Sequence, residues 1–339
     1  PNNRAISKAS TNVNFTGTMK PIGPEVNTLT VENGTSGGDY AEGATVNISA
    51  DAPEESGKVF DKWITSGGGS FADVNAETTS FTMPNNAVTV TATYRDATMA
   101  DYFEFDISTG TITKYQAKGK HNNLDEELDP EIPSSINGKA VTTIGKEAFK
   151  HAQITSVVIP DGVTTIEEWA FNNNLLASVD IPESVTAIGE YAFTANRLTS
   201  ITIPDGITTI ARGAFWLNKL TSVTIPNSVT HIGNSAFLSN ELQNITIPDS
   251  VRDIGGSAFG FNYLVAVRIP GSVSTIGNSA FGNNPEPNHG NPTLTSVEIP
   301  DNVSLGDYTF ERGINITTIT IGSNVTLGSN LLDYNDNFK

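Results

Sequence analysis

The sequence contains no cysteine. Disulfides and thiolate metal sites are therefore excluded, and the absence suits both an exported bacterial protein that does without disulfides and a cytosolic one. Positive charge is scarce: 19 Lys and Arg stand against 37 Asp and Glu, for a formal net charge of -18. A nucleic-acid partner needs the opposite excess, because phosphates are neutralised by Lys and Arg. Unaided adsorption to anionic lipid is disfavoured on the same ground. No apolar run approaches the ~20 residues of a helical membrane span, so no membrane insertion of this segment is expected. The opening PNNRAISKAS shows no charged-then-apolar signal pattern and reads as the interior of a longer or processed chain.

Chemistry-bearing residues are equally thin. The 4 histidines, His121, His151, His231 and His289, have no i,i+4 partner and no carboxylate at metal-ligand spacing. They read as solvated surface residues. No G-x-S-x-G elbow, phosphate loop or zinc-protease motif is present, so neither an enzyme nor a cofactor is expected. The run from Asp333 to Asn337 offers oxygens at calcium-like spacing but lacks the glycine and distal glutamate of an EF-hand loop. No metal site is expected there. The cluster Asp125, Glu126, Glu127, Asp129 and Glu131 reads as a solvated loop.

What the chain has in abundance is repetition. IPDGVTTIEEWAF, IPESVTAIGEYAF, IPDGITTIARGAF, IPNSVTHIGNSAF, IPDSVRDIGGSAF and IPGSVSTIGNSAF follow one another. Pro160, Pro182, Pro204, Pro226, Pro248 and Pro270 are each 22 residues apart, and so are the phenylalanines from Phe149 to Phe281 and the asparagines from Asn174 to Asn284. A period in the twenties is that of a solenoid, whose units bury their apolar faces only by stacking. In the unit Leu220 to Asn240, the alternation of Val223 and Ile225 predicts a strand with every second residue inward. Pro226 suits the strand's end, and Asn227-Ser228 turn the chain. Val229 and Ile232 point inward on a second extended leg. Gly233 permits a bend, Ala236 and Phe237 fill the far end in one helical turn, and Asn240 closes the corner. Stacked asparagines can satisfy backbone groups between coils, and stacked phenylalanines make a second apolar spine.

The pattern L-x-x-V-x-I-P-x-x-V-x-x-I-G-x-x-A-F-x-x-N closely resembles the BspA-like class of bacterial leucine-rich repeats. The resemblance implies a mainly β fold, a right-handed solenoid of 22-residue coils with a parallel sheet along one face and short helical turns. It also implies exposure on a bacterial surface, or secretion. The solenoid is placed at residues 132–339, its first coil enlarged between Pro133 and Val141. PEPNHGNPT inserts eight extra residues at one corner before Leu294. After Asp301 the pattern decays, with Phe310 keeping the spine and Leu331-Leu332 replacing the next phenylalanine.

Three stretches precede the repeats. Residues 1–25, rich in Asn, Thr, Ser, Gly and Pro, read as a linker or the remnant of a preceding module. Residues 26–96 alternate apolar with polar residues and carry no useful helical periodicity, which predicts a small all-β or β-grasp-like domain. Its Phe60-x-x-Trp63 and Phe81-Thr82-Met83-Pro84, followed by Val88-Thr89-Val90, resemble the internalin-type B-repeat domains of bacterial surface proteins, which implies a spacer or weak adhesive unit. Trp63 reads as core. Residues 97–131 contain a hairpin around Ser108-Thr109-Gly110, expected to cover the open end of the solenoid, and then the acidic loop.

The outward residues of the first-leg strands are small: Ser156 and Val158, Ser178 and Asp180, Ser200 and Thr202, Ser222 and Thr224, Asn244 and Thr246, Ala266 and Arg268, Ser296 and Glu298. That face is poor in the Trp, Tyr and Arg that anchor interfaces. Larger apolar residues gather after the spine phenylalanines. Trp216 and Leu238 share one column, Leu217 and Phe261 the next, and Tyr263 follows Asn262. These five are the candidate partner-binding residues. They fit either an exposed patch or lateral packing on the coil exterior. The expected partners are a host or neighbouring-cell protein or glycan, with weak self-association as a further mode. The corresponding function is that of an adhesin in the broad sense. The alternative is a structural spacer that projects another domain from the cell and binds nothing.

Overall fold

The computed structural model describes residues 25–55, 58–116, 130–282, 294–311 and 315–332. Two compact units divide the chain, Pro1–Asp96 and Ala97–Lys339. His121, His289, Asn284, Asp125, Glu126, Glu127, Asp129 and the Asp333–Asn337 run lie outside the described residues, as does the whole of the corner insertion.

The N-terminal unit is all strand among its described residues. β1 (Val26–Glu32), β2 (Gly34–Thr35), β3 (Gly38–Ala41), β4 (Thr45–Ala50), β5 (Lys58–Thr65), β6 (Ser70–Phe71), β7 (Thr78–Thr82) and β8 (Val88–Asp96) form two sheets, ordered β3-β1-β8-β5 and β2-β4-β7-β6. β1 and β8 run parallel, and the other pairs are antiparallel. Leu29, Val46, Ile48, Phe81, Val88 and Val90 close on Trp63, which is 1% exposed and donates its indole N–H to the Ala76 carbonyl at 3.1 Å. Trp63 is thus the core residue expected from the sequence. Strand alternation alone would send Phe60 and Trp63 to opposite faces. A register shift between Phe60 and Lys62 cancels one step, and the two rings meet at 5.8 Å.

The second unit opens with a short 3-10 turn, Met99–Tyr102, and the hairpin of β9 (Phe103–Asp106) and β10 (Thr111–Tyr115). Gly110 takes the left-handed turn position at φ +77°. β10 pairs in parallel with Thr143–Ile144, and the rings of Phe103 and Tyr115 lie 5.9 and 5.1 Å from Phe149. The hairpin therefore supplies both the first strand and the first rings of the stack.

The coils themselves carry parallel strands on both legs, where the resemblance implied one face. On the first leg Ser200–Thr202 pairs with Ser222–Thr224, and Ala266–Arg268 continues through Ser296–Ile299 to Thr318–Ile321. The second leg runs from Thr143–Ile144 through Thr165–Ile166 to Ala187–Ile188, then from Thr209–Ile210 through His231–Ile232, Asp253–Ile254 and Thr275–Ile276 to Ser304–Leu305. Ala266 pairs with Ser296 and Thr275 with Ser304, so both legs resume in register after the corner insertion.

Two side-chain columns hold the stack. Phe149, Phe171, Phe193, Phe215, Phe237, Phe259, Phe281 and Phe310 are buried, with successive centroids 4.9 to 5.7 Å apart and planes within 25° of parallel. Beside them, each buried Asn closes three bonds to backbone. The Asn240 amide donates to the carbonyls of Phe215 and Phe237, both at 3.0 Å, while its oxygen accepts from the Leu220 N–H at 3.0 Å. Asn174, Asn196, Asn218 and Asn262 repeat the arrangement. Past Phe310, half-buried Leu331 and Leu332 pack against the core end, where the sequence placed them.

The far end of the coil is not the helical turn suggested by the sequence. Two overlapping β-turns replace it: Ala236 N–H donates to the Gly233 carbonyl, and Leu238 N–H to that of Ser235. The intervening Phe237 N–H leaves the chain's own turn and donates to Ala258 of the next coil at 2.8 Å. Ser235 sits at φ +56°, which no right-handed helix accommodates. Inter-coil bonding thus takes the amides that a helix would need.

Phe215→Ala should lower the unfolding free energy by about 3–5 kcal/mol, the range for truncating a packed aromatic. Asn240→Leu, which takes the acceptor from the buried Leu220 N–H and leaves the Phe215 and Phe237 carbonyls one donor each, from Asn218 and Asn262, should cost about 1–3 kcal/mol. Denaturant melts check both. A loss below about 1 kcal/mol in either variant would mean that its column does not hold the stack.

Candidate functional site

The hydrogen-bond pattern at the phenylalanine corner dictates backbone conformation coil after coil. The residue two before each spine Phe is left-handed: Glu147, Trp169, Tyr191, Gly213, Ser235, Ser257, Ser279 and Tyr308. So is the residue two after: His151, Asn173, Ala195, Leu217, Ser239 and Phe261. Left-handed backbone suits Gly, Asn and Asp, and costs a bulky residue about 1–3 kcal/mol. Trp, Tyr, Leu and Phe at such positions therefore stand against local preference.

The candidate residues occupy this corner on three consecutive coils, those of Phe215, Phe237 and Phe259. Trp216 and Leu238 are half-buried, as is Phe261 at φ +53°. Leu217, at φ +55°, is 46% exposed, and Tyr263 is 50% exposed. Backbone bonds knit the coils: Leu217 N–H donates to the Leu238 carbonyl at 3.0 Å, and Asn240 N–H to that of Phe261 at 3.2 Å. Gly260 follows Leu238 in its column, and a Cβ there would stand 3.1 Å from Leu238 Cδ1. Leu238 thus lies across the next coil.

The structure adds two aromatics that the sequence reading did not single out. Trp169 and Tyr191 stack at 4.3 Å with planes 18° apart. Lys150 Nζ lies 5.0 Å from the Trp169 ring, and the Arg212 guanidinium 5.7 Å from that of Tyr191. Gly213 ends this column because the Tyr191 ring lies where its Cβ would be. Tyr191 also meets Trp216 at 6.3 Å, which joins the stack to the candidate patch. A signal existed: Trp169 and Tyr191 both precede a spine Phe by two residues and are one repeat apart. Their faces are occupied, by each other and by cations, so packing accounts for them.

Charge around the patch is mixed. Lys146 bonds Glu168 at 2.9 Å, and Glu168 also accepts the Trp169 indole N–H at 2.6 Å. The hydrogen bonds from Lys146 and Trp169 hold the Glu168 carboxyl below the usual range, and the bond to Glu168 raises Lys146. Arg197, Arg212 and Lys219 are exposed beside Tyr191, Trp216 and Leu217.

Elsewhere the surface offers less. The outward residues of the first-leg strands are exposed and carry no aromatic group. On the second leg a shallow groove is lined by His231, Gly233, Asp253, Gly255 and Thr275. His231 is exposed and bonds Asp253 at 3.0 Å across one coil, while its other ring nitrogen meets Thr230 at 2.7 Å. Asp253 also accepts from Thr275. His151 pairs with Asn173 at 2.6 Å. Among the described residues no group of His, Cys, Asp and Glu is placed to hold a metal ion, and no helix is long and apolar enough to cross a membrane.

Residues 131–243, 172–288 and 208–339 match the profile of the BspA type leucine rich repeat region, in 6 copies. Residues 25–98 match the divergent InlB B-repeat domain. Among solved structures, a leucine rich cell surface protein of Faecalibacterium prausnitzii is 25% identical, covers 70% of this chain and 79% of its own, and superposes with a TM-score of 0.42. A leucine-rich repeat protein of Eubacterium ventriosum is 21% identical, with 67% and 70% covered and a TM-score of 0.41. The pneumococcal vaccine antigen PcpA is 20% identical, with 60% and 66% covered and a TM-score of 0.32. No curated protein matches the chain.

The Glu168 bonds have a measurable consequence. A group with a depressed folded pKa stays ionised below its ordinary range, and its bonds are lost only as pH falls through the lowered value. A side-chain NMR titration should place the Glu168 midpoint below the ordinary glutamate value of about 4.3. A midpoint at or above that value would show that Lys146 and Trp169 do not hold the anion.

Proposed function

The chain belongs to the BspA type leucine rich repeat family, and on that premise we propose that it is a bacterial surface protein that binds another macromolecule through the phenylalanine corner of its solenoid. The observation that carries this reading is Leu217. It is large, apolar and 46% exposed, in a left-handed conformation that its side chain disfavours. Lateral packing does not account for it, as the ring stack does for Trp169 and Tyr191. Strain persisting at an exposed apolar residue is where function is sought. Trp216, Leu238, Phe261 and Tyr263 extend the apolar surface across neighbouring coils. Aromatic residues of this kind dominate interface energies, whereas a serine hydroxyl nets about 1 kcal/mol at best.

Pairing with a divergent InlB B-repeat domain supports a surface location, since that module type is associated with bacterial surfaces. A second reading, a spacer with no ligand of its own, is favoured by one feature: the first-leg strand face is poor in anchors, with Arg268 its sole Trp, Tyr or Arg among the outward residues named above. Point substitution separates the two.

Beads coated with the full chain should adhere to epithelial cells or to neighbouring bacteria. Trp216→Ala combined with Phe261→Ala should lower adhesion at least tenfold or so, the effect of about 1.4 kcal/mol, with the melting midpoint nearly unchanged. Adhesion that ignores the pair but changes when one coil is deleted would support the spacer. A collapsed midpoint would make the two residues core.

A further inference from the structure

The partner's chemistry is written in the charges beside the patch. Arg197 and Lys219 each follow a buried column asparagine, Asn196 and Asn218, on consecutive coils. The Lys219 N–H donates to the Leu198 carbonyl at 3.0 Å, so backbone bonding holds the two cations side by side. Both are exposed. Across the corner, Arg212 lies over Tyr191, whose N–H donates to the Arg212 carbonyl at 2.9 Å. Between these cations run Trp216, whose carbonyl accepts from Ala195 at 2.9 Å, and Leu217.

In a chain of net charge -18, carboxylates for pairing are plentiful. Lys58, Arg95, Lys146, Lys150 and Arg268 all have one within 4.0 Å. Among the described residues no such ion pair is made by Arg197, Arg212 or Lys219, nor by Lys62, Lys114, Lys139 or Arg252; what sets the first three apart is that they gather on two consecutive coils around Trp216 and Leu217. Glu190 precedes Arg212 in its column and Glu241 follows Lys219 in theirs, and among the described residues neither closes an ion pair with its neighbour. Like charges one coil apart repel, so the free protein gains nothing from Arg197 beside Lys219. An anionic partner would reverse the sign.

We infer that the partner is a protein whose docking surface sets carboxylates around an apolar anchor, the anchor seated on Trp216 and Leu217 and the carboxylates on Arg197, Arg212 and Lys219. This rests on the binding function proposed above and adds the partner's class. An apolar centre with a charged rim is the anatomy of a protein interface. An anionic glycan fits less well. The ring faces on which a sugar would stack, those of Trp169 and Tyr191, are covered by each other and by Lys150 and Arg212. The exposed apolar group on the coil of Arg212 and Lys219 is instead the aliphatic Leu217, which a hydroxyl-rich chain does not dehydrate, while the exposed Tyr263 lies two coils on from Lys219.

The test uses the full chain against an immobilised random copolymer of glutamate and tyrosine, with polyglutamate, a lysine–tyrosine copolymer and chondroitin sulfate alongside. The glutamate–tyrosine copolymer should bind best, and more weakly as salt is raised. Arg197→Glu with Lys219→Glu should weaken that binding by about tenfold or more, and Leu217→Ser by a comparable factor. The milder Arg197→Ala with Lys219→Ala should move it in the same direction, with melting midpoints unchanged throughout. No binding to that copolymer, or binding indifferent to the charge reversals or to Leu217→Ser, overturns the inference. Binding of chondroitin sulfate in preference to the copolymer, lost on charge reversal, overturns it in favour of a glycan. In the cell-adhesion assay, sensitivity to the Trp216/Phe261 pair without sensitivity to charge reversal removes the acidic partner and leaves the binding function. Indifference to both sets of variants removes both.

Discussion

One asparagine amide per coil ties together backbone groups that no strand reaches. At the corner between the phenylalanine spine and the first leg, the chain turns too sharply for ladder pairing, and its carbonyls point inward. Asn218 donates to the carbonyls of Phe193 and Phe215 and accepts from the Leu198 N–H, so a single side chain joins two coils. Burying these carbonyls beside the phenylalanine rings is tolerable only because each is bonded, since a buried orphan costs about 1–3 kcal/mol. The apolar stack and the polar column therefore depend on one another. The rings keep water from competing for the amides, and the amides fix the coil spacing at which the rings meet.

The same bonding sets the conformation of the surface. With each Phe N–H committed to the next coil, the chain passes the spine through two turns and places left-handed residues on either side of it. Most coils fill these positions with small or polar residues such as Ser235, Ser239 and Ser257. Large apolar or aromatic departures are Trp169, Tyr191, Leu217 and Phe261, between the coils of Phe171 and Phe259, and Tyr308 in the coil of Phe310. Trp169 and Tyr191 recover the strain by stacking. Leu217, exposed and aliphatic, is not part of that ring stack, so stacking does not offset its strain.

Period and inward pattern were readable from the residues because solenoid coils repeat their contacts. Pro160, Phe215 and Asn240 each mark a column, and the column is the structure. The hairpin at Gly110 was readable for a similar reason, since a local turn has a local signal. The twin β-turns were not. The left-handed residues within them, such as Glu147 and Trp169, and those just after them, such as Ala195 and Leu217, carry no sequence mark of positive φ, because hydrogen bonds to the neighbouring coil impose the conformation. The second-leg sheet was half visible: Val229 and Ile232 announced an extended leg, but two-residue strands such as His231–Ile232 leave no alternation to count. The bulge that sets Phe60 beside Trp63 is likewise a tertiary result.

The candidate site divides along the same line. Trp216, Leu217, Leu238, Phe261 and Tyr263 were placed on one corner by register alone, which a strict repeat makes legible. Exposure was not legible, because it depends on what the neighbouring column holds. Tyr191 and Trp169 look as available as Trp216 in the sequence, yet each covers the other's face. Gly213 and Gly260 look like absences, yet they are the gaps into which Tyr191 and Leu238 lie. The cations follow the same rule. Lys146 and Arg197 are alike as letters, but Lys146 meets Glu168 one coil on, while the residue one coil on from Arg197 is another cation. In a solenoid the neighbour that decides a residue's role is the one a full repeat away. A surface is therefore read down its columns, and the corner at Trp216 is where those columns bring apolar area and unpaired positive charge together on an acidic chain.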